Sequence, residues 1–161
     1  MAYCIVLLLT VALDQWTKAL IVGNLPLYQS IEIIPGLFHL VHVTNTGAAF
    51  SLLADVDSPW RHYFFLCIGS GAVIGMSFAA WKLAPISRFY PFALGLIAGG
   101  AIGNLIDRVR LGAVVDFLDF SIGNYHWPAF NVADSAICVG AVVFLIINLL
   151  EARSPQSKEQ A

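Results

Sequence analysis

Four stretches of this chain, at residues 2–22, 62–81, 90–106 and 132–150, are predominantly apolar. Each is close to the roughly 20 residues that a helix needs to cross a bilayer. That pattern leaves few folds open. The chain is 59% hydrophobic and 11% charged, with a mean hydropathy of +0.81. Soluble domains carry about 25% charge, so this chain has too little polar surface to face water on all sides. The same figures exclude intrinsic disorder. Eight Lys and Arg against ten Asp and Glu argue against a nucleic-acid-binding surface. With 161 residues, the length of one domain, residues 1–161 are expected to form a single integral membrane domain, all-α, with four transmembrane helices.

The first segment lacks the basic start of a cleavable signal peptide and is interrupted by Asp14 and Lys18, so it is expected to remain as a permanent helix. Cys4, Cys67 and Cys138 are odd in number, lie inside apolar runs and form no CxxC. They are expected to be buried thiols rather than a disulfide frame or a metal site. Residues 23–61 are too mixed to span a bilayer. Within them, residues 37–43 are rich in β-branched and aromatic side chains and Asn45-Thr46-Gly47 has turn chemistry, which together predict a small β element at the membrane surface. The short loop 82–89, with Pro85, makes the second and third helices antiparallel neighbours. Residues 109–130 form a second surface excursion, and the polar tail 151–161 is expected to fray. Gly95, Gly99 and Gly103 in the third helix, and Gly71, Gly75 and Ala79 in the second, have the spacing that lets helices approach closely in lipid.

Four spans put both termini on one side of the membrane. Lys82, Arg88, Arg153 and Lys158 lie on that side and Lys18, Arg61, Arg108 and Arg110 on the other, so the count is tied. The basic-residue rule does not decide the orientation.

Ionisable groups inside spans are costly and are candidates for function. Here they converge. Asp14 and Lys18 lie toward the end of the first helix, Asn104, Asp107 and Arg108 at the end of the third, and Asn131 and Asp134 at the start of the fourth. Chain parity puts all of these at one membrane face, where both long connections, carrying Asn45 and Asp116, also emerge. Gly100, Asn104 and Asp107 share a helix face. Asp14 and Lys18, four apart, fit either a site or a snorkelling ion pair. Asp107 with Arg108 fits either a site or a structural ion-pair network. Asn131 and Asp134 fit a helix cap and its third position equally well. Asp116, between Val114-Val115 and Phe117-Leu118, is an unusual carboxylate for so apolar a setting. Asp119 is read as solvated or structural.

Two carboxylates from different elements are what aspartyl-type hydrolysis requires, because a close pair shares one proton and so offers a base and an acid together. The spacing of Asp116 and Asp134 does not by itself establish contact. His39 and His42 would point to opposite faces of a strand, and His62 and His126 lie far from them in sequence. No HExxH, Cys/His cluster, GxSxG, Walker A or GxGxxG is present, so neither a metal nor a nucleotide is expected.

At these residues the chain resembles the lipoprotein signal peptidases (signal peptidase II), aspartyl peptidases of the bacterial inner membrane. The matching blocks are Leu13-Asp14-Gln15 with Lys18, then Thr44-Asn45-Thr46-Gly47-Ala48-Ala49-Phe50. Next come residues 99–108 (GGAIGNLIDR) with Gly112, then Val114-Val115-Asp116-Phe117, and last residues 130–137 (FNVADSAI). The resemblance covers nearly the whole chain. It implies that Asp116 and Asp134 are the catalytic pair, and that Asp14, Asn45, Gly47, Asn104, Asp107, Arg108, Asn131 and Ala133 support or line the site. It implies removal of the signal peptide from diacylglyceryl-modified prolipoproteins, just before the lipidated Cys of the lipobox, with no cofactor. The partners it implies are lipidated prolipoprotein signal peptides and membrane lipid, with no nucleic acid and a monomeric enzyme. It also supplies an orientation: termini cytoplasmic, the site at the extracytoplasmic face, and the β element (a cradle, about 23–60) and the segment 109–130 extracytoplasmic. The competing class is a proton- or ion-coupled transporter, which would use the same carboxylates but call for polar residues through the whole bilayer depth.

Overall fold

The computed structural model describes residues 1–47, 59–123 and 125–153. Four helices, α1 (Ala2–Asn24), α2 (Pro59–Leu83), α3 (Phe89–Leu111) and α4 (Val132–Arg153), follow the four apolar stretches, and each is long and apolar enough to cross a membrane. The third extends five residues beyond the expected end, so Asp107 and Arg108 lie within it. The masking of apolar periodicity by Asn104, Asp107, Arg108 and Arg110 explains the early stop. The motif residues 48–50 and the tail beyond 153, expected to fray, lie outside the described residues.

Helix α3 is the hub. Half of its apolar window is buried in protein, against 6–17% for the other three helices, and it packs on α1, α2 and α4. Its glycines make this possible. A Cβ on Gly95 would meet Tyr3 O and Val6, and one on Gly99 would meet Thr10 and Leu7 O, all on α1. A Cβ on Gly100 would collide with Ala133 O on α4. The expectation for α2 needs correcting: Gly71 and Gly75 have nothing within 4 Å, and the close approach to α3 is made instead at Gly69, against Leu105.

The three cysteines also differ from expectation. All are free, but all are exposed, Cys138 at the wall of a pocket. An apolar residue in a membrane span has no need to turn inward.

Both long connections contribute to one antiparallel sheet, β1 (Ser30–Ile34), β2 (Phe38–Asn45), β3 (Val114–Ile122) and β4 (Tyr125–His126), in that spatial order. The β element read at 37–43 is thus β2, joined by strands from both sides. Pairing of β2 with β3 sets Val43 opposite Asp116 and His39 opposite Asp119, with an irregularity between Leu40 and Val43. Gly112 ends α3 with φ +76°, a left-handed cap that only glycine adopts without strain. The chain therefore enters β3 within two residues, which holds Asp116 close to the end of α3. On the other side, His42 is buried and its Nδ1 lies 2.7 Å from Leu25 O, tying β2 to the end of α1. Asp119 is not solvated. It is buried, with His126 Nδ1 2.9 Å from its Oδ2.

Candidate active site

The costly residues of three helices meet where α1 and α3 end and α4 begins. Lys18 is buried, 3% exposed, beside a fully buried Asp14. Its ammonium lies 2.9 Å from Asp14 Oδ2, 2.7 Å from Asp107 Oδ2 and donates to Asn104 Oδ1 at 3.0 Å. Three protons thus have three acceptors, the condition under which a buried charge is tolerable. The pair does not snorkel. Nor is Asp107 paired with its neighbour Arg108: it faces Lys18 and accepts the Val115 N–H at 3.2 Å, while Arg108 turns away to Gly47 O at 2.8 Å and stacks over the Phe65 ring.

Asp14 reaches across the bundle as well. Its Oδ1 accepts the Ala133 N–H at 2.9 Å, satisfying one of the free donors at the start of α4. Ala133 is fully buried between α4 and the glycine face of α3, where a larger side chain has no room.

Two asparagines carry this buried network to two aspartates. Asn104 accepts from Lys18 and donates through Nδ2 to Asp134 Oδ1 at 2.8 Å. Asn131, also fully buried, donates through Nδ2 to Asp116 Oδ1 at 2.7 Å. Asn131 and Asp134 in addition form a reciprocal cap on α4, with Asp134 N–H donating to Asn131 Oδ1 and Asn131 N–H to Asp134 Oδ2. The cap and the site are therefore the same residues, and the two readings of Asn131 and Asp134 hold together. Asn45, at the end of β2, hydrogen-bonds the Asp116 side chain, and its own Oδ1 accepts the Gly47 N–H at 2.9 Å, the expected turn.

Asp116 and Asp134 both line a pocket of about 500 Å³, whose remaining walls are mostly apolar: Val114, Pro128, Phe130, Ile137 and Cys138 among them. Burial, and after it the Asp134 charge, push the Asp116 carboxyl from the ordinary 3.8 up to about 7, against the opposing pull of hydrogen bonds from Asn45 and Asn131. A carboxyl that keeps its proton near neutrality beside a second carboxylate is a combined acid and base. No cluster of three or more His, Cys, Asp or Glu with metal-binding geometry occurs among the described residues.

Of the candidate residues, Asp14, Asn104, Asp107, Asn131 and Ala133 meet in the buried network, Asn45, Asp116 and Asp134 line the pocket, and Gly47 joins Asn45 to Arg108. Two further contributors were not among the residues that the resemblance implies for the site. Lys18 is the centre of the network, and its position one turn after Asp14 was the available signal. Gln15 donates through Nε2 to Asp107 Oδ1 at 2.9 Å and to Gly103 O at 3.2 Å, and its place in the matching block Leu13-Asp14-Gln15 was the available signal.

Four helices able to cross a membrane, with two aspartates lining one pocket at an end of the bundle, are the arrangement a membrane aspartyl hydrolase requires. The family described as Signal peptidase (SPase) II matches residues 6–150, and the chain belongs to that family. It is 49% identical over 142 residues, 88% of both chains, to the lipoprotein signal peptidase of Desulforapulum autotrophicum. It is 46% identical over 157 residues to that of Geobacter metallireducens, covering 98% of this chain and 95% of the relative. Among solved structures it is similar to a bacterial membrane enzyme determined in meso at 2.3 Å, with a TM-score of 0.82 and 34% identity over 94% of this chain and 89% of the other. A second such structure, at 1.9 Å, gives a TM-score of 0.81 at 32% identity, over 91% of this chain and 92% of the other. As a member of the family the chain is a multi-pass membrane peptidase that processes prolipoproteins, and the transporter reading has no support.

Proposed function

We propose that Asp116 and Asp134 are the catalytic pair of this peptidase, and that they cleave the peptide bond just before the diacylglyceryl-modified Cys of a prolipoprotein. One observation carries the reading: the two carboxylates open into one pocket, and each is held by a buried asparagine. The pair shares one proton. The ionised carboxylate takes a proton from a water, whose oxygen adds to the scissile carbonyl carbon while the protonated carboxyl gives its proton to the carbonyl oxygen. As the C–N bond breaks, the first carboxyl passes its proton to the leaving nitrogen and the second recovers one from the tetrahedral carbon's hydroxyl. Both aspartates return to their starting state, and one water is consumed.

The pocket lies at the end of the bundle from which both long connections emerge, the depth at which a lipid-anchored Cys meets the headgroups. The apolar pocket walls suit the side chains flanking a lipobox, and the lipid partner is the bilayer around the helices together with the substrate's own acyl chains. In this reading the termini are cytoplasmic, and the pocket, the sheet and the segment 109–130 are extracytoplasmic. The single membrane domain acts as a monomer, since one chain supplies all ten proposed site residues. Cleavage of a diacylglyceryl-modified prolipoprotein, set against the same precursor with its Cys unmodified, tests the substrate assignment. Preference for the modified precursor is expected, and equal cleavage of both would contradict it.

A further inference from the structure

We propose that Lys18 is a positioning residue: by holding the Asn104 oxygen it turns the Asn104 amide toward Asp134, so that Asp134 carries the negative charge of the pair and Asp116 the shared proton. This assignment rests on the reading of Asp116 and Asp134 as the catalytic pair. It adds which of them is base and what decides it.

The two ends of an asparagine amide have nearly the same shape but opposite hydrogen-bonding roles, so the orientation is set by their neighbours. An ammonium can only donate. The Asn104 atom 3.0 Å from Lys18 Nζ is therefore its oxygen, and the NH2 group must be the end that faces Asp134 Oδ1 at 2.8 Å. Lys18 has no freedom to turn elsewhere, because its other two protons are engaged by Asp14 and Asp107. Asn131 is oriented differently, by backbone: its oxygen accepts the Asp134 N–H at 2.9 Å. Its NH2 then faces three acceptors, Asp116 Oδ1 at 2.7 Å, Val115 O at 3.2 Å and Asn104 Oδ1 at 3.3 Å, with two hydrogens.

The two aspartates are thus unequally served. Asp134 accepts an amide donor on one oxygen and a backbone N–H on the other, at the N-terminal end of a helix, where negative charge is favoured. Asp116 accepts from the Asn45 side chain and from an Asn131 NH2 that it shares with two other acceptors, and it stands on a strand rather than at a helix N-terminus. Asp116 is also the more deeply buried of the two, which agrees with its being the protonated member. The charged groups facing the pair are Lys18 and Asp14 from α1, and Asp107 and Arg108 from α3. Of these, Lys18 is the one seen to donate to an asparagine that in turn donates to an aspartate of the pair.

A double-mutant cycle on the pH profile of kcat/KM separates this role from a structural one. Lys18→Met frees the Asn104 amide to rotate its oxygen toward Asp134. The acid limb of the profile should move to higher pH by about one unit, and kcat should fall about tenfold or more with little change in KM. In an Asn104→Ala background, where there is no amide to orient, Lys18→Met should leave the acid limb where Asn104→Ala alone has put it. An equal displacement in both backgrounds would overturn the proposal, because Lys18 would then be acting by its charge alone. No displacement in either would also overturn it, leaving Lys18 a purely structural residue. If Lys18→Met does not accumulate, Lys18→Met with Asp107→Asn keeps the buried cluster at its net charge of −1 and is put through the same cycle, with the same outcomes decisive. Substantial cleavage by Asp116→Asn would overturn both this assignment and the reading beneath it, whereas a failed cycle with an inactive Asp116→Asn overturns the role of Lys18 alone.

Discussion

Asn131 and Asp134 hold each other from both ends: the Asp134 N–H donates to Asn131 Oδ1 at 2.9 Å, and the Asn131 N–H donates to Asp134 Oδ2 at 3.3 Å. One pair of residues thereby starts a transmembrane helix and fixes a carboxylate at the rim of the pocket. Asn131→Ala removes the cap and the amide that reaches Asp116. It should lower stability by about 1 kcal/mol and cleavage by about 100-fold or more, a loss in rate far beyond the loss of folded protein. Thermal melts in detergent beside turnover of lipidated substrate check this, and full activity would remove Asn131 from the site.

The pH dependence follows from Asp116. Its carboxyl is raised from 3.8 to about 7 in the folded chain, so between those values the folded state holds a proton that the unfolded state has released. Stability therefore falls as pH rises across that window and is lowest above 7, a cost on the order of a few kcal/mol. Asp116→Asn, which cannot ionise, should melt at a higher temperature than the parent at pH 8, with the advantage shrinking toward pH 4. Cleavage by the parent should decline as pH rises through about 7, where Asp116 loses its proton. A melting difference independent of pH would contradict the assignment.

Gly99 is one of the points where α1 and α3 approach closely. A Cβ there would sit 2.7 Å from Thr10 Cβ and 2.9 Å from Leu7 O, and a backbone oxygen cannot give way as a side-chain tip can. Gly99→Leu should destabilise the fold by at least about 2 kcal/mol, measured as loss of folded protein in detergent. Gly71→Leu, on an open face of α2, should be tolerated. Equal tolerance at both positions would refute the packing account.

The orientation is tested by labelling. In a cysteine-free background, Ser30→Cys, on the exposed edge strand, should react with an impermeant thiol reagent from the extracytoplasmic side. Ser87→Cys, between α2 and α3, should react only when the cytoplasmic side is opened. Labelling of both from one side would contradict four spans, and the reverse pattern would invert the orientation.

How much of this was legible in the sequence follows from what a bilayer does to sequence signals. Long apolar runs mark spans, and parity then placed Asp14, Asn104, Asp107, Asn131 and Asp134 at one face without any structure. The inward face of a span was not legible, because lipid-facing and protein-facing residues are both apolar. That is why Cys4, Cys67 and Cys138 turned out to be exposed, and why Gly71 and Gly75 pack against nothing within 4 Å. The i,i+4 spacing of Asp14 and Lys18 said that they meet, not that they are buried. Strand β3 was hidden for another reason. Its partner β2 lies some 70 residues earlier, and Asp116 and Asp119 interrupt its apolar run.

The central claim is that Asp116 and Asp134 act as one proton-sharing unit, and turnover of diacylglyceryl-modified prolipoprotein by three variants tests it most directly. A neutral amide serves neither as base nor as carboxylic acid. Asp116→Asn and Asp134→Asn should therefore each lower cleavage on the order of a thousandfold or more, and the double variant should be little slower than either single, as groups acting as a unit are not additive. Substantial cleavage by either folded single variant, or a double variant slower by the product of two independent losses, would contradict the pair.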